Sequence, residues 1–178
     1  MSPAPQTPRD ISIFRHYAPN TKNRNVPGIE ASPGLRRPRA TDCRTGTLSI
    51  IATPIGNLSD LSQRAIDTLQ SADLIACEDT RQTGKLLKRH QVATPTTSLH
   101  DHNERQRTPG LLGQLREGRS IALVSDGGTP LISDPGWRFV HEAIEQGIPV
   151  TWVPGPTALI GGLVLSGLPM ERFVFDGF

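Results

Sequence analysis

The chain has only two cysteines, Cys43 and Cys77, far apart and outside any Cys-x-x-Cys pair. That excludes a disulfide framework and gives no thiolate zinc site. Aromatic residues make up 4% of the chain. No apolar run approaches the roughly 20 residues that a membrane span needs, nor the roughly 7–15 of a secretory signal. These absences lead to the expectation of a cytoplasmic protein. Cys77 falls in the run Leu74-Ile75-Ala76-Cys77 and reads as a small buried hydrophobe. The dinucleotide signature Gly-x-Gly-x-x-Gly does not occur. Thr83-Gly84-Lys85 is only superficially like a phosphate-binding loop, because the upstream glycine and the hydroxyl after the lysine are missing.

Charge divides the chain. Residues 1–46 hold eight basic side chains against three acidic ones, a net +5, so the remainder carries −3 of the total of +2. The same stretch contains seven prolines and no sustained period, which reads as a flexible basic extension. Two readings stand for it: attraction to RNA, or an unselected leader, the commoner origin of short, motif-free basic tails.

From Thr47 onward apolar runs alternate with helical patterns. Strands are expected at 48–52, 74–77, 97–99, 120–124 and 149–153, and another at 172–175. Between them, Asp60 with Gln63 suggests a capping box for a first helix. A weaker helix follows through 85–88. Thr108 and Pro109 look like the cap and first turn of a third, stopped by Gly118. Asp134 and Pro135 look like the start of a fourth, ended by Gly147, and a small-residue helix spans 157 to about 166. Alternating β and α elements imply an α/β fold with a parallel sheet, flanking helices and right-handed crossovers.

In such a sheet the strands' carboxyl ends share one edge, where open α/β folds build ligand crevices. Three glycine-bearing loops follow strands: Thr53-Pro54-Ile55-Gly56-Asn57, Asp126-Gly127-Gly128-Thr129-Pro130, and Pro154-Gly155-Pro156-Thr157. Glycine permits close backbone approach to a ligand. Two polar strings, Glu78-Asp79-Thr80-Arg81 and His100-Asp101-His102-Asn103-Glu104-Arg105, emerge on the same edge and point to substrate contact. A metal at His100 and His102 finds no third ligand nearby, and no metal is expected.

Together these pieces resemble the tetrapyrrole methylase family of S-adenosylmethionine-dependent enzymes. The matching residues are 53–58, 72–81, 99–104, 125–136, 154–156 and 167–169, in family order from Gly46 on. Within the family they look most like the branch that 2′-O-methylates a cytidine ribose in 16S ribosomal RNA, with the small ribosomal subunit as partner. The resemblance implies two α/β domains with the methyl donor in the cleft between them, and usually a homodimer. It implies donor contacts from Pro54, Gly56, Asp126, Gly127, Gly128, Thr129, Pro154, Gly155, Pro156, Thr157 and Ala158. Glu78, Asp101, His102, Asn103, Glu104 and Arg105 would face substrate. Asp79 and His100 are the candidate proton acceptors, and Arg81 the group orienting phosphate or stabilising alkoxide. Family members run on by roughly another domain, so three parts are expected: the extension 1–46, an amino-terminal methylase domain 47–154, and a linker helix with the first strand of a mostly missing second α/β domain at 155–178. The alternatives are a methylase acting on a tetrapyrrole-type small molecule, and an inactive truncated fragment.

Overall fold

The computed structural model describes residues 45–177; the basic extension expected before them lies, except for its last two residues, outside that range. Five strands form one parallel sheet: β1 (Leu48–Ile51), β2 (Leu74–Cys77), β3 (Thr96–Ser98), β4 (Ile121–Val124) and β5 (Val150–Val153). Their order across the sheet is β3-β2-β4-β1-β5. The helices are α1 (Gln63–Ser71), α2 (Thr80–Arg89), α3 (Glu104–Arg116), α4 (Trp137–Glu145) and α5 (Ala158–Leu165).

That order fixes which face each helix covers. The chain steps towards one edge through β1, β2 and β3, then reverses through β4 and β5. Right-handed crossovers therefore place α1 and α2 on one face and α3 and α4 on the other. The core divides accordingly. On one side Leu111, Leu112, Leu115, Phe139, Val140 and Ala143 pack with Leu48, Ala76, Ile121 and Leu123. On the other Ala65, Leu69, Leu86 and Leu87 pack with Ile51, Ile75, Cys77, Ala122 and Val124. Successive side chains of β4 alternate between the clusters, and all four are buried. Each buried aliphatic of this kind contributes roughly 1.5–3 kcal/mol.

Several element starts differ from expectation. Ser62, not Asp60, caps α1, its Oγ accepting from the Ala65 amide at 3.2 Å. Asp60 instead closes a 3-10 turn, Leu58–Asp60, which Asn57 caps. Helix α3 begins before Thr108 and Pro109, which lie inside it. The Thr108 hydroxyl donates back to the Glu104 carbonyl at 2.8 Å, a mid-helix habit that removes it as a cap. Asp134 and Pro135 precede α4 without starting it; the cap position is Gly136, at φ 112°. A Cβ there would come within 2.9 Å of Leu123 Cδ2, so this turn needs glycine for space as well as for backbone angle. Residues 172–175 form no strand. Arg172, Phe173 and Phe175 line a groove instead.

Candidate active site

Strands β1 and β4 are neighbours whose following loops leave for opposite faces, which opens a crevice at their carboxyl ends. Hydrogen bonds close the floor of that crevice. The Thr53 amide donates to the Gly128 carbonyl at 2.9 Å, and the Gly128 amide returns a bond to the Thr53 carbonyl at 3.0 Å. Thr53 Oγ1 donates to the Ser125 carbonyl at 3.1 Å, and Ser125 Oγ to the Gly128 carbonyl at 3.2 Å. Both hydroxyl residues are buried. The third loop joins through Thr129 Oγ1, which donates to the Pro156 carbonyl at 3.3 Å. The three glycine loops therefore meet, as the parallel-sheet argument requires.

Side chains are missing where the loops touch. A Cβ on Gly127 would stand 3.4 Å from the Pro54 carbonyl oxygen, one on Gly128 (φ 89°) 3.3 Å from Ile55 Cγ2, and one on Gly155 3.0 Å from Ala52 Cβ. The loop after β4 also contains two non-glycine residues in the left-handed region, Leu131 (φ 76°) and Ser133 (φ 64°). Such backbone costs of order 1–3 kcal/mol per residue and persists where the surroundings over-determine it, commonly at binding sites.

A groove of about 710 Å³ opens against this loop, within the range of small-molecule sites. Gly127, Gly128, Thr129, Thr157 and Ala158 line it, with Ile132, Leu163, Met170 and Phe173 supplying apolar wall. Five of the expected donor contacts thus border the groove. Pro54, Gly56, Asp126, Pro154, Gly155 and Pro156 do not; Pro54 and Pro156 support the turn from behind. An apolar trough beside a glycine-rich turn suits a nucleoside-sized, partly apolar ligand.

Carboxylates from the loops after β2, β3 and β4 crowd one another. Burial, and then the charges of Asp126 and Asp101, push the Glu78 carboxyl up. Burial, Glu78 and Asp126 do the same to Asp134, against a hydrogen bond from Ser125. Asp79 goes the other way. Hydrogen bonds from the Arg81 side chain, and then from its backbone amide, bring it down to about 2, with an ion pair at 2.9 Å. Asp79 also caps α2, and its own amide donates to Asp126 Oδ1 at 3.3 Å. Burial raises the Cys77 thiol, in keeping with a packing role.

The string 100–105 is largely tied to itself. Asn103 Oδ1 accepts from the His100 amide at 2.9 Å, while its Nδ2 donates to the Ser98 carbonyl and hydroxyl, both at 3.3 Å. That orientation makes His100 Nε2, 3.0 Å from Asn103 Nδ2, an acceptor. The other ring nitrogen, Nδ1, is buried with no partner among the described residues. Glu104 opens α3, and its Oε1 accepts from the Phe139 amide at 3.2 Å. It supplies α4 with the carboxylate cap that Gly136 cannot. Asp101, His102 and Arg105 are exposed. Sequence reasoning missed Thr53, Ser125 and this use of Glu104. A buried hydroxyl at a strand end carries no local signature, and the Glu104–Phe139 contact joins residues 35 positions apart.

A profile of the Tetrapyrrole (Corrin/Porphyrin) Methylases matches residues 47–175. Among curated proteins, the chain is 57% identical over 133 residues to a ribosomal RNA small subunit methyltransferase I of Synechocystis sp., covering 75% of this chain and 48% of that one. It is 50% identical over 144 residues to the protein of the same name from Escherichia coli O157:H7, covering 81% and 50%. The chain thus spans about half the length of these relatives. Two solved structures share the fold. One is a uroporphyrin-III-C-methyltransferase from Thermus thermophilus, with TM-score 0.54, 24% identity, and 72% and 55% coverage of this chain and that one. The other is a conserved hypothetical protein from Aeropyrum pernix K1, with TM-score 0.61, 17% identity, and 74% and 46% coverage.

Proposed function

The chain belongs to the tetrapyrrole (corrin/porphyrin) methylase family, and on that premise we propose that it serves S-adenosylmethionine-dependent methylation of small-subunit ribosomal RNA, at the 2′-oxygen of a cytidine ribose. The observation that carries the reading is that three glycine loops meet through Thr53, Gly128, Thr129 and Pro156, and that the second and third of them border one groove. The curated relatives' names, at 50–57% identity, supply the substrate class. The cytoplasm, the small ribosomal subunit as partner, and a homodimeric assembly belong to the same proposal. So does a donor-binding role for the amino-terminal domain, 47–154, with residues 155–178 leading into a second domain.

The donor supplies an already activated methyl group, so the protein's task is alignment, for which well-oriented reactants gain on the order of 7–11 kcal/mol. Gly127 and Thr129 would hold the donor through backbone groups, with Gly128 keeping the turn tight beneath it and Thr157 and Ala158 opposite. The ribose hydroxyl must lose a proton, and a base works best when its pKa lies near the working pH. Asp79, brought down to about 2 and ion-paired, is poorly suited to accept it. His100 has Nε2 against the Asn103 amide and Nδ1 buried, which leaves it poorly placed to take the proton. Glu78 is pushed up and has no hydrogen-bond partner among the described residues, and we assign it the proton. Arg81 holds Asp79 and leaves part of its guanidinium for a phosphate.

Labelled S-adenosylmethionine should transfer methyl to 30S subunits or 16S ribosomal RNA, with label lost on ribonuclease treatment and recovered as 2′-O-methylcytidine. Calorimetry should detect donor binding. Ribonuclease-resistant labelling of a tetrapyrrole would replace the RNA reading, and absence of any donor binding would remove both.

A further inference from the structure

Outside the crevice, the most one-sided surface is the exposed face of α2. Its ten residues carry four cations, Arg81, Lys85, Lys88 and Arg89, and no carboxylate. At 100° per residue these four fall within an arc of about 100°, opposite the buried Thr83, Leu86 and Leu87. All four are exposed. The other three sheet-packed helices mix their charges: Asp67 in α1, Glu104 in α3, and Glu142, paired with Arg138 at 3.8 Å, in α4. Lys88 and Arg89 lie in the last turn, where cations offset the helix dipole. That accounts for two charges, but not for Lys85 or for the missing acids.

Cations three and four residues apart repel one another and weaken a helix unless something negative lies over them. Arg81 has Asp79, and Lys85 donates only to the neutral Gln82 Oε1, at 2.8 Å. The side chains of Lys88 and Arg89 have no hydrogen-bond or ion-pair partner among the described residues. The stripe is also well placed. It begins at the turn 78–81, which the Asp79–Asp126 bond ties to the donor-side loop, and runs about 12 Å down the molecule's flank.

We propose that this face of α2 holds the sugar-phosphate backbone of the RNA substrate where the strand leaves the crevice. The proposal rests on the RNA reading above and extends it to a second surface, which contributes affinity without base selectivity.

The test measures binding of a fluorescent single-stranded oligoribonucleotide to the chain across a salt series. Lys85→Gln, Lys88→Gln and Arg89→Gln combined should lower low-salt affinity about tenfold. The log–log salt slope should become shallower by about 2, near 0.7 per lost phosphate contact. Lys85→Gln alone should remove about one such increment, and serves if the triple variant folds poorly. A control, Arg64→Gln, Arg116→Gln and Arg138→Gln, changes net charge equally elsewhere and should move the slope far less. An equal effect from the control would overturn the proposal, reducing it to net charge. So would lost binding to anionic vesicles with RNA affinity intact. If the unsubstituted chain binds RNA and the α2 variant matches it, only this inference fails. If the unsubstituted chain binds no RNA, the substrate reading fails with it.

Discussion

The sheet with its four helices and the segment that follows Val153 are both rich in aliphatic residues, yet they use them in opposite ways. In the first, period-two strands sort apolar side chains onto two faces, and helices cover both, so that Leu48, Ile51, Ile75 and Phe139 are fully buried. In the second, α5 buries no residue, and Leu165 and Val174 stay 87% and 91% exposed. Apolar composition alone does not make a core. A stripe needs a facing surface, and the α5 sequence Ala158-Leu159-Ile160-Gly161-Gly162-Leu163-Val164-Leu165 is apolar all round, with no preferred side to bury. The groove lies along the border between these regimes, one wall rigid and hydrogen-bonded, the other apolar and open.

The largest test of that contrast is truncation on each side. Phe139→Ala should lower stability by about 3–5 kcal/mol in urea denaturation, whereas Leu165→Ala should stay within about 0.5 kcal/mol. Comparable losses would mean that the two regions form one cooperative core. The next effect concerns the clasp that Thr53 makes with Ser125 and Gly128 at the crevice floor. Thr53→Val keeps the β-branched shape but removes the donor to the buried Ser125 carbonyl, at a cost of about 1–3 kcal/mol. Donor affinity should fall with it, and Thr53→Ser should restore both. If stability falls while donor affinity holds, the clasp supports the sheet and not the groove.

How far the sequence revealed these features follows the range of the contacts involved. Strand runs such as 120–124 and turn glycines such as Gly118 and Gly147 are local signals, and each sits where its pattern places it. The meeting of the glycine loops was legible because one rule, parallel strands sharing a carboxyl edge, brings distant residues together. What escaped depends on single long-range contacts. Helix α4 looked as though Asp134 began it, but its carboxylate cap comes from Glu104 on α3. Residues 172–175 have the β-branched and aromatic character of a strand, yet that character depends on context and they form none. The opposite shifts of Asp79 and Glu78, adjacent in sequence, arise from the Arg81 hydrogen bonds on one side and from desolvation, then the charge of Asp126, on the other.

The smallest expected effect is electrostatic, and it runs in two directions. Asp79, lower in the folded chain, contributes stability that is present above 3.8 and lost as pH falls towards 2. Glu78 and Asp134, higher in the folded chain, favour folding while protonated, so their part of the stability declines as pH rises above their ordinary values of 4.5 and 3.8. Glu78→Gln should flatten that decline in a series of thermal melts, and Asp79→Asn the acid limb. In the transfer assay, Glu78→Gln should cost more turnover than Asp79→Asn. The reverse order would return the proton to Asp79.

The position of β4 has a consequence for how the molecule comes into being. β1 and β2 are the first strands made, yet they never touch, because β4 separates them and pairs with both. A nascent chain that has produced β1, β2 and β3 still has a gap at the centre of its sheet. Entry of β4 closes that gap and carries the 125–136 loop to Thr53 in the same event. Such non-local pairing is slow, so the crevice between the 53–57 and 125–136 loops forms only once β4 has entered the sheet.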